Sequence, residues 1–171
     1  MLKKIALAML FILPMGVFAQ TLKFGHFSSS EIITSMPEFT KAQADLQALE
    51  KKYTDEIKRT SDEFNAKYQE YQQAMQKDSL PQNIAERRQK ELQDMAQRSE
   101  QFQKEASQNM QKAQSDLMAP ITKKLDDAIK AVGEAEGFTY IFDLSRTAIP
   151  YVNDKTSINV TPLVKAKLGL K

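Results

Sequence analysis

The sequence predicts an α+β protein in which a long antiparallel helical hairpin, a coiled-coil arm, stands on a small β-rich oligomerisation body completed by other copies of the chain. Three observations carry this. All five glycines lie outside His26 to Val132, so more than half of the chain avoids the residue that most weakens a helix interior. That stretch is broken only at Asp78-Ser79-Leu80-Pro81, which reads as the turn of a hairpin. Short aromatic and β-branched segments flank it on both sides.

The first element has a targeting role. Lys3 and Lys4 precede the apolar run Ile5 to Leu13, and Val17-Phe18-Ala19 is a small-x-small cleavage site. Residues 1–19 therefore read as a secretory signal peptide, cleaved after Ala19, that delivers a soluble chain to the periplasm. The chain has no cysteine, so a lipid-modified cysteine is excluded.

The charge balance narrows the partners. The chain carries 24 Lys+Arg against 22 Asp+Glu, and loss of Lys3 and Lys4 leaves 22 against 22. A near-neutral chain is a poor candidate for nucleic acid, and any membrane contact is at most transient. The remaining length is that of one domain, yet a long hairpin of low apolar content buries little core by itself, so stability has to come from assembly.

On the outgoing arm, apolar or small residues recur at Ala42, Leu46, Leu49, Tyr53, Ile57, Thr60, Phe64, Tyr68, Tyr71 and Met75. Their mean spacing of about 3.67 is the hendecad value, so the seam runs nearly straight. The returning arm continues through Ile84, Arg88, Leu92, Met95, Ser99, Phe102, Ala106, Met110, Ala113, Leu117, Ile121, Leu125, Ala128 and Val132. Between them lie Gln, Lys, Glu and Asp, the composition of a solvated face.

The arms differ in length, which places a joint. Pro37 to Lys77 spans roughly 60 Å of helix and Pro81 to Val132 roughly 78 Å. Equal lengths counted from the tip bring the return helix level with the base of the outgoing one beside Pro120, where a backbone hydrogen bond is lost. The expected organisation is thus a body of residues 20–36 and 120–171 and an arm of residues 37–119 with its tip near 78–82. Pro120 should lie close to the Pro37 to Phe39 turn.

The flanks supply the body. Leu22 to Phe27, Phe138 to Asp143 and Ala148 to Val152 are rich in aromatic and β-branched residues and read as strands. Gly133 and Gly137 are expected to end the return helix. Thr161 is expected to cap a last short helix, Leu163 to Leu168, with Pro162 in its first turn and Gly169 as its stop. Such strands leave open faces and edges that several copies together would close.

At this level of detail the chain resembles the Skp (OmpH) family of periplasmic chaperones. The resemblance rests on Leu22 to Phe27 leading into Ser30-Glu31-Ile32-Ile33 and Met36-Pro37-Glu38, on Leu117-Met118-Ala119-Pro120-Ile121 with Ile129 and Val132, and on the strand Glu136 to Asp143. It is completed by Ile158-Asn159-Val160-Thr161 with Val164 and Leu168. It implies a homotrimer whose strands form one body, here with Phe24, Phe27, Phe138, Tyr140, Phe142 and Tyr151, from which three arms hang. It also implies an ATP-independent holdase that encloses unfolded outer-membrane β-barrel precursors and keeps them from aggregating in transit. No cofactor is implied. Known members are strongly basic and this chain is not, so no lipopolysaccharide site is carried over.

Candidate client contacts are Phe64, Tyr68, Tyr71, Met75, Met95 and Phe102, because methionine and tyrosine suit promiscuous surfaces. The same residues lie on the seam, and spacing alone favours packing between the arms. The tip adds Lys77, Arg87, Arg88 and Lys90, interleaved with Asp78, Glu86 and Glu91. Asp78-Ser79-Leu80 also resembles a short bacterial O-glycosylation sequon, although a turn explains Asp-Ser equally well.

Chemistry is hard to place on this sequence. His26 is the single histidine and alternates with Leu22 and Phe24 on one side of a strand; one imidazole without cysteine is a weak metal ligand set, and a structural role is the better reading. Asp55-Glu56, Asp62-Glu63 and Asp126-Asp127 read as solvated helix faces, since consecutive helical positions point about 100° apart. Nucleophile motifs and phosphate-binding glycine loops are absent, so the chain is not expected to be an enzyme. The competing reading is a structural envelope protein, a coiled-coil spacer that binds one partner, for which a tighter apolar seam would be needed than one containing Arg88 and Ser99. From the neutral charge, capture of an unfolded barrel protein should change little between low and high salt, measured as its solubility in the presence of the purified chain; a steep loss would show that charge drives capture.

Overall fold

The computed structural model of the chain describes residues 22–77 and 80–170. The expected leader and the Asp78-Ser79 turn with its sequon lie outside them. The elements are β1 (Phe24–Phe27), α1 (Ser29–Ser35), α2 (Pro37–Gln76), α3 (Gln82–Glu136), β2 (Tyr140–Asp143), β3 (Ser157–Asn159) and α4 (Thr161–Lys167).

The hairpin forms as expected, from a 40-residue α2 and a 55-residue α3. A short helix not anticipated from the sequence precedes it. Ser28 is extended and its hydroxyl accepts the Glu31 N–H at 3.3 Å, capping α1; Ser-x-x-Glu is the spacing of a capping box. Met36 ends α1 in an extended conformation, as a residue before proline prefers. Pro37 then opens α2, where its missing N–H has no cost.

The return helix runs on past both Pro120 and Gly133 to Glu136. Gly133 is therefore not a helix end. Its carbonyl accepts the N–H groups of Gly137 and Phe138, which close the last turn, and Gly137 at φ 69° supplies the left-handed residue that termination needs. Pro120 lies beside the first turns of the outgoing helix. It lines one cleft with Glu38, Lys41, Ala42 and Ile121, and Lys124 pairs with Glu38 across the same joint, lowering the Glu38 carboxyl from its ordinary range.

The sheet has the order β2-β1-β3 with all strands parallel. Its third strand is Ser157–Asn159 and not Ala148–Val152. Pro150 offers no N–H to a ladder, and residues 148–152 form a connecting segment instead. Thr161 is likewise not the cap of the last helix but its first residue; Val160 holds the cap position, and the Asn159 side chain just before it accepts the Thr161 N–H at 2.9 Å. Gly169 follows the helix at φ 73°.

The sheet's two faces differ. Gly25, Phe27 and Ile141 turn toward the helices, where Phe27, Ile32, Leu125, Ala128, Val132, Val160 and Val164 form the main core. A second cluster of Met36, Ala42 and Ile121 continues it to the arm's base. The fit over Gly25 is close: a Cβ there would stand 3.0 Å from the Phe138 ring and 3.2 Å from Val160.

Asp143 joins the end of β2 to the start of α1. Its Oδ1 accepts the Ser29 N–H at 3.1 Å and the Ser145 N–H at 2.9 Å. Burial pulls the carboxyl up, but the bonds from Ser29 and Ser145 and the charge of Arg146 outweigh it and hold the group below its ordinary value of 3.8.

Two predictions follow from this packing. Gly25→Ala should destabilise the body by about 1–3 kcal/mol, read by chemical denaturation, because the ring and valine must shift. Asp143→Asn should cost about 1–2 kcal/mol at neutral pH. Since the folded carboxylate titrates below the unfolded one, this stabilisation is present above the ordinary carboxylate range and is lost as pH falls through it. Wild type and variant should therefore converge in acid, and a gap that persisted there would show that Asp143 acts by shape alone.

Candidate functional site: the arm and the open sheet face

Along the arms the spacing pattern is reproduced as a burial pattern. The return-arm seam positions from Ile84 to Val132 are all buried or half-buried. On α2 the seam from Ala42 to Phe64 is covered in the same way, as is Tyr71. Tyr53 packs edge-on against Phe102 across the hairpin, ring centres 5.9 Å apart. Lys67 pairs with Glu91 between the arms.

Toward the tip the cover is lost. Tyr68 is 44% exposed and Met75 48%, although both occupy seam positions. Tyr68 stacks on Phe64 one turn earlier on the same helix, centroids 6.1 Å apart, and its hydroxyl accepts from Gln72. The expectation of packing between the arms thus fits Phe102 and fails for Tyr68 and Met75. Between these extremes, Met95 and Phe102 line a shallow cleft with Thr60, Ser99, Arg59 and Arg98. Near the tip, Lys77, Arg87 and Lys90 are exposed, and Arg88 is half-buried.

Each acidic pair has at least one member in a local ion pair. Asp55 meets Lys51, Asp62 meets Lys58, Asp127 meets Lys123, and Arg59 bridges Glu56 and Glu63. Such exposed pairs add little stability, and they keep these carboxylates within one helix surface. Among the described residues, no group of three or more His, Cys, Asp or Glu could hold a metal ion. No described helix is long and apolar enough to cross a membrane.

The second surface is the outer face of the sheet. Phe24 and His26 on β1 share it with Tyr140 and Phe142 on β2, following the parallel register. Phe24 stacks on Tyr140 at 6.3 Å and Tyr140 lies 6.0 Å from Phe142. Tyr140, Phe142, Leu144 and Tyr151 remain exposed, Tyr151 to 76%. Of the six body aromatics, Phe27 is buried beneath the sheet and Phe138 packs against the same core, with the Lys23 ammonium over its ring. Leu144, Leu22 and the edge residue Ile158 were missed as members of the exposed apolar set. Leu144 could have been found, since it extends the alternation of Tyr140 and Phe142.

The comparisons agree with this architecture. The family model for outer membrane protein (OmpH-like) matches residues 23–168. Among solved structures, the chain is similar to an OmpH-like protein from Caulobacter crescentus CB15, a candidate outer membrane chaperone. The TM-score is 0.67 at 20% identity, over 86% of this chain and 83% of that one. No curated protein matches. A matched region running from the first strand to the last helix, on a hairpin-and-sheet fold of the same plan, establishes that this chain belongs to the OmpH-like family.

Proposed function

We propose that this protein is an ATP-independent periplasmic holdase that encloses unfolded outer-membrane β-barrel precursors between the arms of a homotrimer. The observation that carries the reading is the uncovered end of the seam: Tyr68 and Met75 occupy packing positions but stand 44% and 48% exposed. An unfolded barrel strand alternates apolar and polar residues. It can lay its apolar side on such a surface through many weak contacts whose sum is large when several arms act together.

The remaining parts of the reading fit this picture. Pro37 and Pro120 divide arm from body, and the exposed aromatic face of Phe24, Tyr140, Phe142 and Tyr151 is the surface that other copies cover. Burying such a face on the matching parts of other copies removes the exposed apolar area that a lone protomer would present to water. A spacer has less support, because a passive strut gains nothing from aromatic and thioether groups left open near its tip.

The purified chain lacking residues 1–19 should keep an unfolded outer-membrane barrel soluble without ATP. Replacing Tyr68 and Met75 together by serine should weaken that protection several-fold while changing thermal unfolding of the hairpin little, since exposed side chains contribute little to stability. Aggregation followed by light scattering, beside a melting curve, separates the outcomes. Full protection by the double variant would remove these residues from client contact, and failure of the wild type with several barrels would favour the spacer.

A further inference from the structure

We propose that Met75 is a redox modification site: a two-electron oxidant of the hypohalous acid class converts its thioether to the sulfoxide and so weakens the arm's hold on client. The inference rests on the reading that Tyr68 and Met75 touch client. The chain has no cysteine, so thioethers are its only sulfur groups. Five lie among the described residues: Met36, Met75, Met95, Met110 and Met118.

Cover sorts these five in order along the arm. Met36 is 1% exposed in the cluster at the arm's base, and Met118 packs against the same cluster. Further out Met110 and Met95 are half-buried, Met95 in the cleft it shares with Phe102. Met75, in the last turn of α2, is the exposed member of the set. An oxidant has to reach the sulfur lone pair, so access orders the rates. The thioether whose oxidation would disturb packing most, Met36, is the one shielded from the oxidant.

In net terms one S–O bond forms and the O–halogen bond breaks. Sulfur gives up two electrons to the halogen, and halide and a proton leave. Reduction takes two electrons and two protons from a dithiol, through a methionine sulfoxide reductase, and releases the oxygen as water. The sulfoxide presents a different surface from the thioether. Its oxygen accepts hydrogen bonds from water, which an apolar client strand must strip away to reach the side chain. Met75 lies two helical turns beyond Tyr68, and these two are the exposed apolar seam residues toward the tip. Oxidation therefore removes one of two anchors while leaving the body's core intact.

Limited treatment of the chain lacking residues 1–19 with hypochlorous acid, followed by peptide mass mapping, gives the order of oxidation. Met75 should convert at least about five-fold faster than Met36, with Met95, Met110 and Met118 between them. At the dose that converts Met75, the wild type's protection of an unfolded outer-membrane barrel should fall several-fold. It should recover on incubation with a methionine sulfoxide reductase and dithiothreitol, and thermal unfolding of the chain should not change. Met75→Leu keeps Tyr68 and the apolar bulk without the sulfur, so its protection should survive the same dose. Equal rates at all five sulfurs would overturn the proposal. An equal loss of protection in Met75→Leu, or undiminished wild-type protection with Met75 fully converted, would do the same. Weakened protection by the double serine variant of Tyr68 and Met75 would then leave the client contact standing, whereas full protection by that variant would overturn both readings.

Discussion

The four residues of β1 hold the rest of the molecule in place. Phe24 to Phe27 lie between β2 and β3, and both neighbours come from beyond the hairpin. Thr139 donates to the Lys23 carbonyl, Leu144 to that of Phe27 and Val160 to that of His26, at 2.8, 2.9 and 2.8 Å. These bonds fasten the end of the return helix and the start of the last helix to the strand that launches the arm. The core depends on the same strand, because Phe27 anchors the cluster in which α1, α3 and α4 meet.

From this fixed base the structure loosens by degrees. Ile32, Leu125, Val160 and Val164 at the base are essentially inaccessible. On α3, Leu92 and Ala106 are still buried within the arm, while on α2 Ala42 alone is. Helical propensity and ion pairs such as Lys51 with Asp55 and Lys112 with Asp116 then support a helix whose contacts with its partner are incomplete. Local stability follows covered apolar contact, so the tip is the part of the arm most free to adapt. The exposed Tyr68 and Met75 are located there.

Much of this was legible in the sequence because it depends on periodicity and on residues with strong backbone preferences. The hendecad spacing from Ala42 to Val132 anticipated which arm positions lose solvent, and comparing arm lengths placed Pro120 near the Pro37 to Phe39 turn, where it lines a cleft with Glu38. What was not legible depended on partners distant in the chain. The third strand went to Ser157–Asn159 because its competitor carries Pro150 and because Val160 could dock in the core, a tertiary fact that aromatic content cannot report. Tyr68 and Met75 share the period of their covered neighbours, and the spacing contains no measure of how far the facing helix closes over them. Gly133 looked like a stop, yet the helix runs through it, and the left-handed residue that ends the helix is Gly137 at φ 69°. The cap of α1 was visible in Ser28 and Glu31 and went unread, since the turn is brief and a strand precedes it.

Because β1 and β2 are adjacent and parallel, the entire hairpin is a connection between neighbouring strands, in the position that one ordinary helix fills in a strand-helix-strand unit. Only its root, through Leu125, Ala128 and Val132, touches the sheet's core. Outward of Pro120, matched segments of about eleven residues, three helical turns, can be gained or lost in both arms together without altering the register at the base or the strand order. Arm length is an independent variable of this fold, set by counting turns while the body stays constant.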